Sequence, residues 1–175
     1  MLASDFFQLP ESIPFAESFS PDARPWEWLP KIKEALSGLK GNASEKELPS
    51  GVRIEGEVFI SDGVKLPAFA SMKGPCWIGE DVEIRPGAYI RGNVIIGAGS
   101  VIGNSCEYKN ALLMERTHTP HFSYVGQRLL QAYGFGHARS ISQKWRSTFP
   151  YRKELLSLQC HRPNGRTDCV SRPQS

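Results

Sequence analysis

The sequence is poor in the features that most often betray a protein's chemistry. No apolar run approaches the roughly 20 residues that cross a bilayer as a helix. The opening Met1-Leu2-Ala3-Ser4-Asp5 has no basic stretch of the kind that starts a secretory signal. Both absences lead us to expect a cytoplasmic chain with no membrane partner. Cysteine occurs only four times and never as C-x-x-C, which argues against a zinc ribbon and suits a reduced compartment. Histidine is as scarce. His118 and His121 form an H-x-x-H pair, but His137 and His161 fall in a dissimilar tail, so no metal is expected.

Net charge is small too, at +3, although it hides a gradient. Residues 1–126 hold 12 Lys and Arg against 16 Asp and Glu, whereas residues 127–175 hold 9 against 2. The whole-chain balance gives no reason to expect nucleic acid as a partner, and the basic end reads as a solvated arm.

What the chain has in abundance is period. From Val52 to Met114 the sequence repeats every six residues. One column reads Ile54, Ile60, Leu66, Met72, Ile78, Ile84, Ile90, Ile96, Ile102, Tyr108, Met114. A second, two places earlier, reads Val52, Val58, Val64, Ala70, Cys76, Val82, Ala88, Val94, Ser100, Cys106, Leu112. Residues two apart on a strand face the same way, so both columns point inward. Gly, Pro and charged residues fill the remaining places and suit outward bends. No helix has a six-residue period. Short strands joined by corners and wound into a stacked coil account for it: a parallel β-helix over residues 51–126.

Around this array lie two extensions. Residues 1–50 contain Pro25-Trp26-Glu27-Trp28-Leu29-Pro30, after which Leu29, Ile32, Leu36 and Leu39 share one side of a short helix. Its expected task is to cap the open first coil, because solenoid ends expose apolar side chains and strand edges. Residues 41–50 read as a linker. Residues 127–175 read as a basic, irregular and disordered tail, with a short helix near 150–158. The abrupt change after Gly126 is what a shifted frame or an alternative terminus produces.

The hexads resemble those of the left-handed β-helix acyltransferases, in which an aliphatic residue, often followed by Gly, precedes a small residue by four places. Ile78-Gly79 with Val82, Ile96-Gly97 with Ser100, and Ile102-Gly103 with Cys106 fit that pattern. The resemblance implies the fold class: all-β, a left-handed parallel β-helix with an N-terminal helical cap and an irregular C-terminal tail. It also implies a homotrimer with acetyl-CoA as acyl donor and no tightly bound cofactor. A short array has little interior to stabilise it, which is a second reason to expect association.

Residues eighteen apart share a corner on successive coils. One corner holds Glu55, Lys73, Arg91 and Lys109; another holds Pro67, Arg85, Gly103 and, if the register continues, His121. Stacked cations repel one another unless an anion or water relieves them, so the first corner is either a phosphate site or a solvated edge. The segments Gly103-Asn104-Ser105-Cys106-Glu107-Tyr108-Lys109 and His121-Phe122-Ser123-Tyr124-Val125-Gly126 carry a closer resemblance. They are similar to the acetyltransferase domain of bifunctional N-acetylglucosamine-1-phosphate uridyltransferases and to related sugar-1-phosphate nucleotidyltransferases.

That resemblance implies an amino-sugar 1-phosphate substrate, with His121 as general base. It implies Lys109 and Arg85 as phosphate ligands and Tyr124 as a hydrogen-bonding group on the same ligand. Arg91 competes with Arg85 for the phosphate because it shares the corner of Lys109. After Gly126 the family continues with further hexads, whereas this chain reads Gln127-Arg128-Leu129-Leu130. The competing expectation is therefore a truncated, non-catalytic β-helix that binds a sugar phosphate or a partner subunit. The nucleotide loop of the family, L-x-x-G-x-G-T-x-M, does not occur in residues 1–50, so nucleotidyl transfer is not expected of this chain.

Overall fold

The computed structural model describes residues 2–132, 137–142 and 156–159, the last two segments by their backbone alone. Its centre is the all-β parallel β-helix that the hexads predict. Three faces run along the prism. Face 1 stacks β1 (Gly51–Glu55), β3 (Phe69–Lys73), β6 (Tyr89–Arg91), the start of β9 (Glu107–Leu113) and the start of β10 (Tyr124–Ala132). Face 2 stacks β2 (Val58–Ile60), β4 (Cys76–Ile78), β7 (Val94–Ile96), then the ends of β9 and β10. Face 3 is thinner, with Lys65 bridged to β5 (Glu83–Ile84), then β8 (Val101–Ile102), then His118.

The inward columns form the core as expected through Tyr108. Val58, Ile60, Cys76, Ile78, Val82, Ile84, Ile90, Val94, Ile96 and Ile102 are all buried in one cluster. Polar residues that enter this interior are satisfied within it. The Tyr108 hydroxyl meets Thr119 Oγ1, which donates to the Val101 carbonyl at 3.2 Å and accepts from the Gly103 N–H at 3.1 Å. Burial raises the Tyr108 phenol well above its ordinary range and keeps it neutral.

Beyond Tyr108 the register departs from the expected one. Tyr89 pairs with Glu107, eighteen residues on, but Val94 pairs with Ala111, only seventeen on. The cause is a corner one residue shorter. In the coil below, Gly92 and Asn93 both turn through positive φ (57° each), whereas Asn110 alone (φ 47°) turns the next one. Glycine and asparagine tolerate this region, and Asn93 Nδ2 donates to Asn110 Oδ1 at 2.8 Å to stack the corners. As a result Ala111 and Leu113 face the core, not Leu112 and Met114, and Pro120, not His121, continues the column of Arg85 and Gly103.

Displaced outward, Leu112 completes an apolar ladder on face 2: Phe59, Trp77, Ile95, Leu112, Leu129. The N-terminal segment covers that ladder. A 3-10 turn (Pro25–Glu27) leads into α1 (Trp28–Ala35), which buries Trp28, Leu29, Ile32 and Leu36 against it, together with Phe7, Ile13 and Phe19. The helix therefore lies on a side of the prism rather than over its first coil. The first coil is closed by the stretch that reads as a linker. Asn42 brackets Ile60 with two hydrogen bonds (2.7 and 3.1 Å), and Ala43 and Leu48 join the core.

At the other end β10 runs past Gly126 to Ala132, because Leu129 and Leu130 remain buried and pair with β9. Arg128 takes the register position of Ala111, so a charged residue ends the inward column. Within the expected irregular tail, β11 (His137–Ser142) pairs antiparallel with β10, and β12 (Leu156–Gln159) pairs with β11. Pairing the open edge of β10 is the physical reason for this order. The expected helix near 150–158 is replaced by strand at 156–158, and residues 143–155 and 160–175 lie outside the described residues.

Candidate functional site

The expected cation corner forms. Glu55 pairs with Lys73, Lys73 with Arg91, and Lys109 with Gly126 on neighbouring strands of face 1. Its members are not equivalent. Lys73 Nζ lies 2.8 Å from Glu55 Oε1, and that bond raises the ammonium above its ordinary value. Arg91 lies over the Tyr89 ring at 5.7 Å and grips Glu107 Oε1 through Nε at 2.7 Å and Nη2 at 2.5 Å. The hydrogen bond to Glu107 raises its guanidinium further. Lys109 is half-buried and has no ion-pair partner among the described residues.

Tyr124 stands in the middle of face 1, beside Glu107 in register and 60% exposed. His121 is exposed in the turn that precedes β10, at the edge of face 1 opposite Lys109, with its ring edge-on to Phe122. Arg85 follows β5 at the corner between faces 3 and 1 and pairs with Glu83 at 3.0 Å. The structure thus gathers Arg91, Lys109 and Tyr124 on one face, with His121 at its rim, and sets Arg85 apart. His118 belongs to face 3 beside Val101, and no three metal-binding side chains cluster among the described residues. His137 is described by its backbone alone, and His161 lies outside the described residues.

Two features of the site are not visible in the spacing of the cations. Glu107 neutralises Arg91 from the next strand, two residues off register, which depends on side-chain reach. Exposed aromatics accumulate on face 1 and the corner beside it: Phe69 at 55%, Tyr89 at 38%, Phe122 at 75%. Alternation with buried residues along β3 and β6 is the signal that marks Phe69 and Tyr89, whereas Phe122 stands in the turn before β10.

Comparison with known proteins bears on this geometry. Residues 75–107 match the family model for the bacterial transferase hexapeptide (six repeats). Over that stretch the coils are similar to the transferase hexapeptide. The chain resembles "Bifunctional protein GlmU" of Methanococcus vannielii, at 33% identity over 111 residues, which is 61% of this chain and 26% of that protein. The corresponding protein of Methanocaldococcus jannaschii is 34% identical over 107 residues, 61% of this chain and 26% of the relative. The "Bifunctional sugar-1-phosphate nucleotidylyltransferase/acetyltransferase" of Sulfurisphaera tokodaii is 32% identical over 107 residues, 61% of this chain and 27% of the relative. The chain therefore spans about a quarter of the length of these relatives. No helix among the described residues is long and apolar enough to cross a membrane.

Proposed function

We propose that this chain is a CoA-dependent acyltransferase that acetylates the amine of a sugar 1-phosphate on face 1. The observation that carries the reading is Lys109, the one cation of the corner column without an ion-pair partner among the described residues, set beside the exposed ring of Tyr124. A phosphate at that corner gains a charge-assisted bond from Lys109 and a hydrogen bond from the Tyr124 hydroxyl. The sugar then lies over face 1, and because that face is wider than a sugar, the His121 that meets its amine is one from a neighbouring protomer. There the imidazole takes the amine proton as the nitrogen attacks the thioester carbonyl of acetyl-CoA, then passes it to the departing sulfur so that CoA leaves as its thiol. Backbone N–H groups steady the oxyanion. Acetyl-CoA is a substrate in this scheme, and no tightly bound cofactor enters it. Arg91 supports the phosphate only if Glu107 yields it, and Arg85 reaches the site only from another protomer. The working form is a cytoplasmic homotrimer.

The second reading is a non-catalytic module that binds the sugar phosphate alone or docks on a partner subunit. It is favoured by the pairing of β10, which is antiparallel with β11 where another coil would have supplied a parallel strand. One experiment separates the two. Calorimetry with glucosamine 1-phosphate is run beside an assay for thiol release from acetyl-CoA, on the unmodified chain and on His121→Ala. Enzyme activity requires binding and thiol release in the unmodified chain, with release lost and binding kept in His121→Ala. Binding without release selects the module. No binding at all rejects both sugar-phosphate readings.

A further inference from the structure

The outward column Lys73, Arg91, Lys109 ends on a residue with no side chain, Gly126. The space is not empty. A Cβ built on Gly126 would lie 2.4 Å from Cε1, Cζ and Oη of Tyr124, far inside van der Waals contact. Tyr124 stands two residues earlier on the same strand and the same face. Its ring leans along β10 so that the phenol end occupies the volume that a residue-126 side chain would take.

We infer that Gly126 is a positioning residue, whose bare Cα seats the Tyr124 hydroxyl above Lys109 at the top of the cation column. This rests on the sugar-phosphate reading and adds a residue to it. The glycine is not needed for its backbone, since it is absent from the glycines of positive φ and holds a conformation that alanine adopts. What sets the position apart is the space above it, which the end of the exposed Tyr124 side chain fills and from which a Cβ would displace it. Seated there, the hydroxyl lies next to the column that holds Lys109 and within electrostatic reach of Arg91. The outer face of the ring stays open to solvent. A phosphomonoester at the corner then meets an ammonium from one strand and an O–H from the next. Any side chain at 126 lifts the ring and removes the second contact while leaving the first.

The test is a double-mutant cycle in the full chain, read by calorimetry with glucosamine 1-phosphate. Gly126→Ala is expected to weaken binding about tenfold, as Tyr124→Phe does, the size of a hydrogen bond to a charged group. In a Tyr124→Ala background the same Gly126→Ala change is expected to alter affinity by less than about twofold. Full affinity in Gly126→Ala, or an undiminished loss in the Tyr124→Ala background, overturns the inference. Nuclear Overhauser contacts between the Tyr124 ring and the Gly126 Hα protons in the unmodified chain supply a second arm, and their absence also overturns it. If those contacts are present but the unmodified chain binds no sugar phosphate, the functional reading has failed and the positioning role falls with it.

Discussion

Lys73 and Arg91 differ from Lys109 in one respect that matters for a phosphate: each already faces a carboxylate. An anion arriving at Lys73 competes with Glu55, and one arriving at Arg91 must displace Glu107. The buried thiol of Cys76 marks the opposite extreme, a group withdrawn from chemistry. Burial pushes it up to about 12, against about 8.5 for an unfolded thiol. A raised folded value means that the native state holds a proton which the unfolded chain releases. The stability this contributes is complete below about pH 8.5 and is lost as pH climbs toward 12. At pH 9, therefore, iodoacetamide should modify the Cys76 peptide slowly in native protein and rapidly in urea, as read by mass spectrometry. Rapid native modification would contradict the burial assigned to this residue.

At the scale of the element, the hexads gave the β-helix its strands and corners from the sequence through Tyr108, because nearly every inward place there holds an aliphatic or small residue. The slip at Asn110 was illegible for a physical reason. Leu112, Leu113 and Met114 are all apolar, so the period cannot tell which of them faces the core once a corner loses a residue. The same misreading placed His121 in the wrong column. The ladder under α1 was legible but missed: Phe59, Trp77 and Ile95 each sit between two inward residues, where a solvated face would be polar. Stability measurements separate these positions. Ile90→Asp leaves a carboxylate unpaired in the prism, which costs several kcal/mol, whereas Glu80→Ala on the exposed corner should leave the melting temperature nearly unchanged. Trp28→Ala should cost about 3–5 kcal/mol despite lying outside the β-helix, since it opens a cavity against face 2. Denaturant melts check all three, and a silent Trp28→Ala would mean that the N-terminal segment does not hold the face.

For the whole molecule, the covered face limits how copies can meet. Face 2 is occupied by the chain's own N-terminal segment, so a homotrimer must use faces 1 and 3, which flank the corner carrying Arg85 and His121. Light scattering at micromolar concentration should return three times 19.5 kDa, and Phe69→Glu on face 1 should lower that mass. A monomer in the unmodified chain would contradict the assembly. The cation column was legible from spacing alone, and Tyr124 and His121 from resemblance. Which cation is open to a ligand was not, because it is decided by where Glu55 and Glu107 reach. That distinction is the centre of the functional account, and one titration tests it. With glucosamine 1-phosphate as ligand, Lys109→Ala should weaken binding about ten- to a hundredfold, the worth of one charge-assisted bond of roughly 1.5–3 kcal/mol. Lys73→Ala, which removes a cation already paired on the same corner, should bind nearly as the unmodified chain does. Equal losses in the two variants, or none in either, would contradict the account.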